Sequence, residues 1–340
     1  MKKIILKTIL VCCLLIALIY ISCENKNDIS NQQVEEMTTP ALTQGIAHFA
    51  TAKELYATLD KTSSLTFNER TKWESEMGFV SQFTLINEAL SEIGEADTDE
   101  EIDLILQKNR DLIKLSDDNE IIPAVPSATS SFVVNREGYF YVNNYLHKVT
   151  QEGVLVSKTP GKTTINEISD EIIVFKTSSN DTKNCGPVQN SEPLIEGNRK
   201  VRISIVTEKV PSSDGYLHYY HDYVSCIVLG YKKVFGSWVG YNSIYWHQNL
   251  RCTVVTMVSS LYGKKGTNEV NEMPVYEAIS YSWPSAESPY EAHSYTWTYP
   301  VGETFEFTYE PELTAPFFTQ VGGEGKSRGT TGWAIVTCGY

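Results

Sequence analysis

The chain has 340 residues, 41% of them apolar and 21% charged, with a formal net charge of −14. These values exclude a disordered or collagen-like chain and a coiled coil, and they argue against a partner held through nucleic-acid phosphates. At roughly 100–200 residues per domain, the length allows two domains or one large one with an appendage.

The N-terminus opens with Met1-Lys2-Lys3, and after Lys7 an apolar stretch runs from Thr8 to Ile21. That is shorter than the roughly 17–25 residues of a membrane-spanning helix and fits a secretory leader. Ser22 precedes Cys23, and a small residue before a cysteine is the pattern of a bacterial lipoprotein signal. Residues 1–22 therefore read as a signal peptide and Cys23 as the lipidation site, which makes the protein exported and membrane-anchored. Cleavage removes three lysines and leaves the body more acidic, so the tether is acyl chain and not charge. Residues 23–45 are polar, without apolar period, and read as a flexible tether.

Four cysteines remain in the body: Cys185, Cys226, Cys252 and Cys338. In an exported chain an even number points to disulfides. A reversal near Ser237–Gly240 would place Cys226 opposite Cys252 and leave Cys185 with Cys338.

Residues 46–122 read as an acidic helical domain. Thr51/Glu54, Thr66/Glu69 and Thr98/Glu101 have the spacing of capping boxes, and apolar residues recur behind them at helical spacing. Helices are predicted at about 52–60, 67–77, 80–94 and 99–115. The acids of residues 88–120 read as a solvated helix face. Pro123 and Pro126 end this region. Residues 123–198 read as a β-meander and linker, with strands over Phe132–Val134, Tyr139–Val142, Tyr145–Val149 and Val154–Val156, and 177–198 as the linker.

Residues 199–340 read as an aromatic-rich β-sandwich domain, with strands at Val201–Val210, Tyr223–Leu229, Ser243–His247, Thr253–Val258, Ala278–Trp283, Ser294–Tyr299, Phe305–Tyr309 and Trp333–Thr337. The predicted class is α+β: a small N-terminal helical bundle, a short β-meander and a C-terminal antiparallel β-sandwich. Together with the leader, Gly78-Phe79-Val80-Ser81, the stretch Asn135–Val142 and Trp238–Ser243 give a layout that resembles uncharacterised exported lipoproteins of gut Bacteroides-type bacteria, labelled as domains of unknown function. The resemblance covers most of residues 46–340. It implies location and architecture, and it implies no activity and no functional residues.

Gly325-Lys-Ser327-Arg-Gly329 has the spacing of a nucleophile elbow, but no histidine follows it and its flanks are glycine-rich. It reads as a mobile loop before the last strand. His218 and His221 lie three apart in a strand-like stretch and would point to opposite faces, so no metal site is read there. No cofactor is expected.

The aromatic residues carry the remaining signal. Fifteen of 20 Tyr and five of six Trp fall in residues 199–340. Tyr295, Trp297 and Tyr299 alternate on one strand face, with Ser294, Thr296 and Thr298 on the other, and Tyr281 and Trp283 repeat the spacing. Rings on a rigid sheet suit sugars or protein partners. These five residues are the candidate ligand-binding face of a non-catalytic module for a glycan or protein at the cell surface. Alternatives are a hydrolase of envelope or dietary polysaccharide and a structural or assembly lipoprotein without a small ligand.

Overall fold

The computed structural model describes residues 41–339 except 44, 63, 167–170, 177–184, 235, 265–269 and 309–315. The signal peptide expected at residues 1–22, the expected lipidation site Cys23 and most of the expected tether lie outside the described residues. The chain divides into two units, Met1–Thr39 and Pro40–Tyr340, and the described residues belong to the second. The protein is α+β: among the described residues four α-helices accompany several sheets, and strand is the commonest state.

Strands β1 (Ala41–Thr43) and β2 (Ile46–Phe49) lead into helices α1 (Ala52–Thr62), α2 (Phe67–Met77), α3 (Gln82–Glu95) and α4 (Asp99–Lys108). At α2, Thr66 Oγ1 accepts from the Glu69 amide at 3.3 Å and the Glu69 carboxylate accepts from the Thr66 amide at 2.9 Å, a complete capping box. At α1 and α4 the threonines cap in the same way, but the glutamates reach one residue further back. Glu54 accepts from the Ala50 amide at 2.6 Å and Glu101 from the Asp97 amide at 2.7 Å. Helix α4 stops at Lys108, earlier than predicted, because the hairpin β3 (Ile113–Leu115) and β4 (Ile121–Pro123) takes over.

The predicted strand at residues 132–134 is instead the end of a 3-10 turn, Ser130–Phe132. The meander itself is β5 (Tyr139–Val142), β6 (Tyr145–Thr150), β7 (Gly153–Ser157) and β8 (Ile172–Lys176). Asn143 and Asn144, with φ of 46° and 67°, make the left-handed two-residue turn between β5 and β6. These strands join β1 and β2 in one six-stranded sheet, in which β2 and β5 run parallel.

The second six-stranded sheet is built on two long strands, β11 (Arg199–Ser213) and β12 (His218–Val234), which pair along their whole length. Short strands β9 (Val188–Asn190) and β10 (Leu194–Glu196) pair with β11, so residues read as linker complete this sheet. β13 (Ser237–Gly240) and β17 (Ser294–Phe307) pair with β12. A five-stranded sheet holds β14 (Tyr245–Lys264), β15 (Val270–Ser282), β16 (Ala286–Glu287), β18 (Phe317–Ser327) and β19 (Ala334–Cys338). Residues read as separate strands at 243–247 and 253–258 belong largely to β14, which continues through a bulge at Gln248/Arg251, where Asn249 takes φ 54°.

One core joins the two larger antiparallel sheets through Ile203, Ile205, Val228, Tyr295 and Trp297 on one side and Cys252, Val254, Phe318 and Val321 on the other. Another core joins the helices, the meander and the far end of the long strands, through Leu55, Leu59, Phe140, Val210 and Tyr223. The predicted loop around Gly325 is strand, and its glycines have a packing role. A Cβ on Gly325 would lie 2.9 Å from both Ile203 Cβ and Val228 Cγ2, and one on Gly323 would lie 2.9 Å from Ile205 Cδ1. Lack of a side chain lets β18 approach the long-strand sheet closely.

Cys185 and Cys338 form a disulfide with a Cα–Cα distance of 5.8 Å across 153 residues of chain. Closing a loop of that size restricts the unfolded chain by about 5 kcal/mol in the chain-entropy description. The expected Cys226–Cys252 bridge is absent, and both are free, buried thiols. The turn at Ser237–Gly240 returns the chain only along the end of β12. Cys226 therefore pairs between Ile205 and Trp297 in one sheet, and Cys252 between Tyr281 and Val321 in the other.

Gly325→Val should destabilise the fold by about 1–3 kcal/mol through overpacking against backbone-fixed Ile203 and Val228. Urea denaturation measures this, and an unchanged midpoint would remove the close-approach role.

Candidate functional site

Alternation along the long strands separates two faces. Ile203, Ile205, Val228, Tyr295 and Trp297 turn to the core shared with the five-stranded sheet. The residues between them form three rows across the opposite face: Arg202–Leu229–Ser294, Ser204–Ile227–Thr296 and Val206–Ser225–Thr298. Most of these side chains floor a cleft of about 500 Å³. Its other wall is α3, through Phe83, Ile86 and Asn87, with the segment from Lys114 to Ser131 that includes Pro123 and Pro126.

One end of the cleft holds a buried ion cluster. The Glu120 carboxylate, 1% exposed, is paired with Lys200, receives Arg202 Nη2 at 3.2 Å, and accepts from Tyr231 Oη at 3.3 Å. Arg202 also reaches Asp118 at 3.3 Å. Lys200 Nζ lies 5.0 Å from the Trp238 ring centroid, a further cation–π stabilisation. Burial and the neighbouring Glu120 carboxylate push the Tyr231 phenol well above its ordinary range. At the other end, the Glu208 carboxylate accepts from the amides of Ala128 and Thr129 at 2.7 and 2.8 Å and from the Thr129 hydroxyl. It anchors the 3-10 turn to β11. Both carboxylates are thus engaged by the protein's own donors.

Three polar atoms of cleft-lining residues are buried without a hydrogen-bond partner among the described residues: Asn87 Oδ1, Arg202 Nε and Glu120 Oε1. Of these, Glu120 Oε1 is ion-paired with Lys200 and Arg202, which leaves Asn87 Oδ1 and Arg202 Nε unmatched. The Asn87 amide nitrogen donates to the Phe83 carbonyl at 2.8 Å, which fixes the side chain. An orphaned acceptor and an orphaned donor in one cavity are groups that water fills in the free protein and that a ligand with the complementary donor and acceptor can take over.

The five residues predicted to bind ligand lie behind this floor. Tyr295 and Trp297 are 2% and 8% exposed, with centroids 4.7 Å apart in the core. Tyr281, Trp283 and Tyr299 are half-buried and stack on one another, at 5.7 Å between Tyr281 and Trp283 and 4.8 Å between Trp283 and Tyr299. Their ring faces meet each other. The Tyr281 hydroxyl accepts from the Gly302 amide at 3.0 Å, and the Tyr299 hydroxyl bonds His247 Nε2 at 2.7 Å. Tyr295, Trp297 and Tyr299 also border a smaller depression of about 270 Å³ with Ser64, Glu287 and Pro289.

The His221 ring lies tilted against Tyr56, with centroids 5.4 Å apart, and bonds Thr304 Oγ1 through Nδ1 at 2.7 Å. His218 packs at the edge of Phe175. Burial lowers the His221 pKa to about 4. Among the described residues no group of three or more His, Cys, Asp or Glu is placed to hold a metal ion. No described helix is long and apolar enough to cross a membrane. Burial raises the Cys252 thiol to about 12 and the Cys226 thiol further still, so neither is an activated nucleophile.

Sequence reasoning missed Asn87 and Arg202. The alternation of Arg202, Ser204, Val206 and Glu208 with Val201, Ile203 and Ile205 was a readable sign that β11 has two differently covered faces.

No family model and no curated protein matches this chain. A crystal structure of a DUF4848 family protein from Bacteroides thetaiotaomicron is similar over 88% of this chain and 99% of its own, at 18% identity and a TM-score of 0.27.

Glu120→Ala should cost about 3–5 kcal/mol, because it leaves buried Lys200 without its counter-charge. Chemical denaturation measures the loss, and a change below about 1 kcal/mol would show the cluster to be a weakly coupled surface pair.

Proposed function

We propose that this chain is an exported lipoprotein tethered at the cell envelope through Cys23, and that its body is a non-catalytic module binding a glycan or protein in the cleft between α3 and the long-strand sheet. The leader of residues 1–22 and the polar stretch behind Cys23 support the address. The Cys185–Cys338 disulfide supports it independently, because such bonds persist in oxidising compartments. In this reading the helices and meander buttress a sandwich made of the two larger antiparallel sheets, and the cleft opens on the sheet face turned away from the sandwich interior.

The observation that carries the binding role is the pair of unpartnered atoms, Asn87 Oδ1 and Arg202 Nε, in a cavity of about 500 Å³. A volume of that order suits a small ligand or a segment of a larger one. Engagement of Glu120 and Glu208 by internal donors favours holding a ligand over turning it over, since general acid–base work needs a carboxyl within reach of the substrate's proton.

Calorimetric titration of the full chain with peptide and oligosaccharide panels tests this. Saturable binding without product formation is expected. Asn87→Leu, which keeps the branching of the side chain but removes the acceptor together with the amide donor to Phe83, should weaken it about tenfold with the fold retained. Turnover of the bound molecule, or binding indifferent to Asn87, would contradict the proposal.

A further inference from the structure

Resting on the binding-module reading, we propose that the cleft is one half of a longer groove that takes an extended polypeptide segment of a partner protein. A second depression of about 190 Å³ shares Pro126, Val188, Val206 and Glu208 with the cleft. It continues past Thr150 and Gln151 at the β6–β7 turn and reaches Lys209. The two therefore follow β11 from Arg202 to Lys209. Seven strand steps of about 3.3 Å give a length of about 23 Å, which an extended peptide of about seven residues fills.

The lining chemistry selects among ligand classes. Polar Ser204, Asn190 and Thr296 are interspersed with apolar Val206, Val188 and Ile227. A peptide presents a donor and an acceptor at every residue and apolar side chains between them, so it matches both. Asn87 Oδ1 would receive a backbone N–H, and Arg202 Nε would donate to a backbone carbonyl. An acyl chain would seal the Ser294 and Thr296 hydroxyls and both orphaned atoms away from water without partners, which is costly. A sugar ring needs an open aromatic face. Phe83 is the one aromatic residue lining the groove among the described residues, and the Arg70 guanidinium already lies 4.5 Å from its centroid. Val188 stands at the junction of the two depressions and is 47% exposed, so it would touch a ligand crossing between them and tolerates substitution.

The test uses the full chain, heptapeptides from a synthetic library of mixed polar and apolar sequence, their tripeptide and tetrapeptide halves, sodium palmitate and an oligosaccharide panel. A selected heptapeptide should bind at least about tenfold more tightly than either half, and Val188→Lys should weaken it about tenfold. Gln151→Trp, at the exposed far end, is the second variant and should weaken the heptapeptide while sparing the half that occupies the cleft. Halves that bind as well as the whole, or a heptapeptide indifferent to both variants, would overturn the groove. Asn87-sensitive binding of an oligosaccharide in place of peptide would overturn the peptide assignment and leave the binding-module reading intact, whereas binding of palmitate alone would contradict both. No saturable ligand from any class would remove both.

Discussion

The architecture depends on one sheet being covered differently on its two faces. β11, β12 and β17 pair in strict register over the stretch where Ile205, Cys226 and Trp297 form one row and Ser204, Ile227 and Thr296 the next. Because side chains alternate with period two, these rows cannot share a destination. The first row goes to an apolar core against β14 and β18, and the second floors the cleft. Gly323 and Gly325 let the opposing sheet close down on Ile203, Ile205 and Val228. The polar rows are then left for α3 and the proline-bearing segment to roof over.

Where local chemistry decides the structure, the sequence was legible. The capping threonines and apolar periodicity of α1 to α4 placed the helices to within a few residues, apart from the C-terminus of α4, because those signals are contained within a turn or two of chain. The meander was legible for a similar reason, since Asn143-Asn144 is a turn that only a few residue types can form. β18 was not, because glycine at 322, 323 and 325 is composition for a loop unless one knows that a neighbouring sheet requires empty space there.

The cysteines and the site show the same boundary between local and non-local information. Pairing Cys226 with Cys252 assumed that the turn after residue 236 joins their two strands, whereas it joins β12 to the four-residue β13 and the chain then starts another sheet. On β17, alternation correctly divided Ser294 and Thr296 from Tyr295 and Trp297. Which row meets a core and which meets a cavity depends on elements far away in the chain: α3, some 200 residues earlier, and β18, after it. Asn87 could not be singled out from its own surroundings on α3, because its meaning comes from facing Arg202 in the same cleft.

The two-faced sheet is tested most directly by an alanine scan across Ser294, Tyr295, Thr296 and Trp297, with unfolding free energy read by urea denaturation. The account predicts a sawtooth: losses of about 3–5 kcal/mol at Tyr295 and Trp297, and of less than about 1 kcal/mol at Ser294 and Thr296. A flat profile, or the larger losses at Ser294 and Thr296, would contradict the division of the sheet into a packed face and a cleft face.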